Sequence, residues 1–139
     1  MKIFFVNSEP RYSKGLVDLL ELKFGQLPGV VYYCQNGDEL IDALPEDEPV
    51  IVITEIGIAY AGQTTLEGGA LKMIQHAKYQ NPKTLAILYT ISFRAVSDKD
   101  LSMFESTISA TFDDKSKDAL YKEIVKFAEI SSLDNSKLR

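Results

Sequence analysis

The sequence predicts an open, doubly wound α/β fold built on one five-stranded parallel sheet. Three observations carry that prediction. Val50 to Ile53 is a short, continuously apolar, β-branched run closed by Thr54, Glu55 and Gly57, the pattern of a strand buried on both faces. Similar runs alternate with helical patterns along the whole chain, and no internal repeat interrupts the series. Glu55 then falls at the carboxyl end of the central strand, where open α/β sheets place their ligands.

At 139 residues the chain is long enough to bury one core without disulfides or metals. It is 45% hydrophobic and 25% charged, the composition of an ordered globular domain. No apolar run approaches the roughly 20 residues of a membrane span. Met1 to Val6 is too short for a signal peptide, so a cytoplasmic protein is expected. The single Cys34 excludes an internal disulfide and a cysteine-based zinc site, and is read as a packed strand thiol. A net charge of −5 disfavours non-specific nucleic-acid binding. Neither a membrane nor a nucleic acid is an expected partner, and no metal or other cofactor is implied.

The elements follow in order. Lys2 to Val6 is a first, central strand, closed by the turn chemistry of Asn7, Ser8, Glu9 and Pro10. A helix with Leu16, Leu19, Leu20 and Phe24 on one face comes next, ended by the turn from Gly25 to Gly29. Val30 to Cys34 is the second strand. Asn36 caps a brief second helix around Leu40, Ile41 and Leu44, and the acidic turn from Pro45 to Pro49 leads into the strand at Val50. Ile56 to Gly69 has a weak apolar pattern and is read as a long functional loop. A third helix follows Gly68 and Gly69, with Leu71, Ile74 and Ala77 on one face and Met73 beside them. His76 falls off that stripe toward solvent and has no partner at metal-ligand spacing. Thr84 to Thr90 is the fourth strand. Ser97 caps a short fourth helix around Leu101 to Phe104, Ile108 to Phe112 is the fifth strand, and Asp113 to Ser116 is its turn. The last helix carries Leu120, Ile124 and Phe127. The domain is expected over residues 1–129, with 130–139 a polar tail that frays.

Right-handed crossovers in a series this short give the flavodoxin-like strand order 2-1-3-4-5. That order gathers Asn7, Ser8, Glu9, Glu55, Thr90 and Lys115 around one crevice. Here the chain from Lys2 to about Ala128 resembles a response-regulator receiver domain. Such domains carry an acid pair after the first strand and a phosphorylated aspartate at the end of the third. A threonine or serine ends their fourth strand, and a Lys-Pro pair follows the fifth. Thr90 and Lys115 match their places, and Phe112 matches the aromatic position that reports activation. Asn36 to Leu40 resembles the family's entry to its second helix.

Four features depart from the pattern. Asn7 and Ser8 replace the acid pair, leaving Glu9 as the nearby carboxylate. Glu55 replaces the phosphoacceptor, Ser116 replaces the proline, and the loop after Glu55 is longer. Magnesium prefers carboxylate oxygens in octahedral geometry, and Asn7 offers only a neutral oxygen. Glu55 is one methylene longer than aspartate, which displaces its oxygen by roughly 1 Å and spoils in-line attack. The expectation is a degenerate pocket in a pseudo-receiver, a non-enzymatic protein-interaction module in bacterial-type signal transduction. Glu55 is expected to reach Lys115 and Thr90 as a phosphoaspartate mimic, or to form a structural ion pair with Lys115. The resemblance implies a partner surface on the fourth helix, fifth strand and fifth helix, including Leu101, Phe104 and Phe112, which also serves homodimers. Two alternatives stand beside this reading. One is an atypical receiver still phosphorylated or metal-bound through Glu55 and Glu9. The other is a flavodoxin-like sensor of a small ligand.

Overall fold

The computed structural model describes residues 1–64, 67–91, 96–111 and 113–137. Its elements in chain order are β1 (Lys2–Val6), α1 (Pro10–Phe24), β2 (Val30–Cys34), α2 (Gly37–Ala43), β3 (Val50–Thr54), α3 (Lys72–Gln80), β4 (Thr84–Thr90), α4 (Asp98–Leu101), β5 (Ser106–Ser109) and α5 (Asp114–Lys137). All strand pairs are parallel and the sheet order is β2-β1-β3-β4-β5, as the sequence predicts.

Strand periodicity divides the apolar residues between two cores. Ile3, Phe5, Ile51, Ile53 and Ile87 point to one face, where α1 and α5 supply Leu16, Val17, Leu20, Leu120, Ile124 and Phe127. Phe4, Val6, Val50, Val52 and Leu88 point to the other, under Leu40 of α2 and Met73, Ile74 and Ala77 of α3. β3 is buried along its whole length, whereas β2 and β5 form the half-exposed edges.

The caps behave as their residue types dictate. Asn36 accepts the Glu39 N–H at 2.9 Å, and Glu39 reaches back to accept the Gln35 N–H at 2.6 Å. Ser97 accepts the Asp100 N–H at 3.2 Å. Gly25 ends α1 with φ +90°, a conformation that costs side chains other than glycine, and donates its N–H to Glu21.

Several elements differ from expectation. β5 spans Ser106–Ser109 instead of Ile108 to Phe112. Its start is anchored by Glu105, whose N–H donates to the Ala86 carbonyl at 2.9 Å and whose carboxylate accepts the Ala86 N–H at 2.6 Å. The same carboxylate pairs with Lys78. α4 begins directly after its Ser97 cap and ends at Leu101, before Phe104. α5 continues to Lys137 through residues expected to fray, because neither Gly nor Pro interrupts 114–137, and Ser131 is buried. Leu19, expected on the core face of α1, is 50% exposed; the buried stripe is Ser13, Leu16, Val17 and Leu20.

The long segment after β3 is pinned down in its described part. Tyr60 and Gln63 exchange backbone hydrogen bonds of 2.8 and 2.9 Å, and Gly37 donates its N–H to Ala59 at 2.8 Å. Asp38 accepts the Ala61 N–H at 3.2 Å, and the Tyr60 hydroxyl bonds His76 Nδ1, so exposed His76 anchors the loop to α3. A π-helical turn at Glu67–Leu71 then leads into α3.

Cys34 is buried, as expected of a packed thiol. Burial, with a smaller contribution from the Glu39 charge, pushes its thiol from 9.0 up to about 11. The folded chain therefore holds the proton more tightly than the unfolded chain. The resulting stabilisation is complete below about pH 9 and is lost as pH rises through about 11. Denaturant melts at stepped alkaline pH are expected to show this loss, with the thiol's share missing in Cys34→Ala. Identical alkaline profiles for the two proteins would contradict it.

Candidate functional site

The carboxyl ends of β1, β3, β4 and β5 open into a crevice of about 310 Å³. Asn7, Ser8, Glu9, Glu55 and Thr90 line it, so the sheet brings together five of the six pocket residues expected from the sequence. Lys115 does not join them. It is exposed on the first turn of α5, and its charge helps to hold Asp113 low instead. The shift of β5 toward the N-terminus explains this. Ala110, whose N–H donates to the Thr90 carbonyl at 2.7 Å, occupies the crevice wall where a strand-end lysine was expected.

Glu55 follows directly on β3 and is half-buried. Its carboxylate accepts the Ser8 N–H at 3.3 Å and the Ser8 hydroxyl at 3.1 Å. Neither expected contact is made: among the described residues Glu55 has no ion pair with Lys115 and no hydrogen bond with Thr90. The acceptor oxygen of Asn7 is likewise engaged, taking the Glu9 N–H at 2.8 Å. That turn delivers the chain to Pro10 in the first turn of α1.

The crevice is acidic. Glu9 and Glu55 face it, with no Lys, Arg or His among its described lining residues. No group of three or more His, Cys, Asp and Glu among the described residues is arranged to hold a metal ion.

Sequence reasoning missed Tyr12, Tyr89, Ile91 and Ala110 in the lining. Tyr89 is buried, and its hydroxyl shares a 3.2 Å hydrogen bond with Ser116 Oγ. Burial raises its phenol above the ordinary tyrosine value. The available signal was strand alternation, which sends Tyr89 to the α1–α5 face, opposite to Leu88. Ser116, read as replacing a proline, has a structural task in the α5 start. It donates its N–H to Asp113 at 3.4 Å, and its hydroxyl bonds the Thr111 carbonyl at 2.8 Å. The Thr111 hydroxyl bonds Asp113 at 2.6 Å, which holds that carboxyl below its ordinary value.

The expected partner surface is placed only in part. Phe104 is buried in the second core and Leu101 packs against it half-buried, so both support that face from beneath. Phe112 lies outside the described residues.

No family model matches the sequence, and no curated protein matches it. Solved structures do. The chain is similar to the signal receiver domain of an HD-domain-containing protein from Pseudomonas fluorescens, with TM-score 0.70 and 17% identity over 97% of this chain and 91% of that one. It is similar to the response regulator TrrA of Thermotoga maritima, in complex with magnesium and beryllofluoride, at TM-score 0.66 and 17% identity over 91% and 97%. A structure described as adenylate cyclase from Rhodopirellula baltica matches at TM-score 0.66 and 13% identity over 99% and 96%. These likenesses show the receiver fold.

Proposed function

We propose that this receiver-fold chain is a signalling module that works by protein interaction, without phosphoryl transfer. One observation carries the reading. Glu55, the carboxylate where a phosphoacceptor would stand, is held by both donors of Ser8 in a crevice whose fifth-strand wall is Ala110. Among the described lining residues, a phosphoryl group arriving there would meet two carboxylates and no cationic side chain. Stabilising its charge by protein groups is the main catalytic requirement of such a transfer. Asn7 cannot supply a carboxylate ligand, and its oxygen is already committed to the Glu9 N–H.

The partner surface we assign is the α4–β5–α5 face, from Ser97 to Phe127. Its exposed residues among those described are polar, including Lys99, Ser102, Thr107 and Ser109, with Leu101 at the margin. Such a surface favours a specific, hydrogen-bonded partner over a large hydrophobic one.

The test is an amide NMR titration with magnesium and beryllofluoride, the mimic of an acyl phosphate. Shifts at Asn7, Ser8, Glu55 and Thr90 are expected to stay unchanged. Saturable shifts there, spreading to Tyr89 and α5, would establish a working phosphoacceptor and end this reading.

A further inference from the structure

We propose that the groove between α1 and α5 binds a small amphipathic anion: an apolar body of about ten carbons carrying a carboxylate or similar acid group. The groove encloses about 530 Å³, within the range of roughly 300–1,000 Å³ typical of small-molecule sites. It is separate from the crevice but shares Tyr12 and Tyr89 with it.

Its apolar wall is not explained by folding. α1 already gives Leu16, Val17 and Leu20 to the core, yet it carries a second apolar stripe. Tyr12 is 49% exposed, Leu19 50% and Leu22 84%, and all three line the groove. Single exposed leucines are ordinary, but a stripe along one concave wall marks a binding surface.

Gly15 adds an independent observation. It lies in the interior of α1, where glycine forms helix less readily than alanine. No atom lies within 4 Å of where its Cβ would sit, so packing does not demand the glycine. Its effect is to hollow the groove wall.

Charge selects the class of occupant. Arg11 and Lys117 line the groove, and neither belongs to an ion pair among the described residues. They outnumber the one carboxylate present, Asp18, in a chain whose net charge is −5. A bound acid would meet these cations beside apolar walls, where charge-assisted contacts are strengthened. From Arg11 to Leu22 the helix runs about 16 Å, which sets the length of the apolar body. The inference does not rest on the reading of the crevice.

Three ten-carbon probes differing only in head group test it on the full chain by amide NMR: decanoate, decanol and decyltrimethylammonium. Decanoate is expected to give saturable shifts at Tyr12, Gly15, Leu19 and Lys117. It should bind about tenfold or more tightly than decanol, with no binding of the cation. Arg11→Ala combined with Lys117→Ala should bring decanoate down to the level of decanol. Gly15→Phe should fill the groove and abolish binding. Should that variant fail to fold, Leu22→Glu, at a highly exposed site, is expected to weaken decanoate by like charge. Equal binding of all three probes, unsaturable shifts, or unchanged binding in the groove variants would overturn the proposal. So would a dimer in light scattering that Leu22→Glu dissociates, since it would assign the groove to a second copy.

Discussion

Replacing Phe4 by alanine is expected to lower stability by about 3–5 kcal/mol and the melting temperature by roughly 10–20 °C. Phe4 is 1% exposed at the centre of β1, flanked by Tyr32 on β2 and Val52 on β3. Its ring stacks on that of Tyr32 at 5.1 Å between centroids, and its far side meets the second core. Truncation leaves a void in the second core, on a central strand that cannot shift to fill it without breaking its ladders to β2 and β3. Such a loss is a large fraction of the roughly 5–15 kcal/mol that stabilises a domain of this size. Leu19→Ala on the exposed stripe is the internal comparison, expected to change stability by about 0.5 kcal/mol or less. Thermal and urea melts of the two variants decide the matter. Comparable small losses in both would mean that Phe4 does not hold the second core together.

The second large effect is expected at Gly69, where alanine should cost about 1–3 kcal/mol by overpacking. A Cβ there would stand 2.2 Å from the carbonyl oxygen of Ile58 and 3.4 Å from its carbonyl carbon. Those are backbone atoms, so no rotamer change relieves the clash, and Ile58 itself is fully buried. Relief requires the segment after β3 to lift, which pulls on the Ala59–Gly37 and Ala61–Asp38 hydrogen bonds. Amide shifts at Ala59, Tyr60 and Gly37 should accompany the loss. Gly57→Ala supplies the contrast, since nothing lies within 4 Å of its Cβ position. Wild-type stability in Gly69→Ala would show that this packing is softer than described.

The parallel sheet was legible because its strands are short apolar runs and its caps are Asn36 and Ser97 at the spacings that hydrogen bonding requires. Five crevice residues were legible for the same reason, since each ends a predicted strand or opens the following turn. Lys115 was misplaced because the apolar residues from Ile108 onward suggested a later strand. The actual start is set by the carboxylate of Glu105, a tertiary contact with Ala86 that no local pattern reveals. The engagement of Glu55 by Ser8 spans distant parts of the chain and was equally hidden. Leu19 was misassigned because two apolar stripes on one helix overlap in a 3.6-residue period. Only packing shows which of them faces inward.

The strand order also permits a stepwise assembly from the N-terminal side. β1, the first strand to be synthesised, pairs with both β2 and β3. Residues up to Thr54 can therefore form a three-stranded nucleus, with α1 on one side and α2 on the other, while the rest of the chain is still being made. β4 and β5 then add in turn on the β3 side, and β2 stays as the opposite edge. Parallel pairing imposes a long loop-closure cost at each addition, and domain growth from the N-terminus lets the chain meet those costs one at a time.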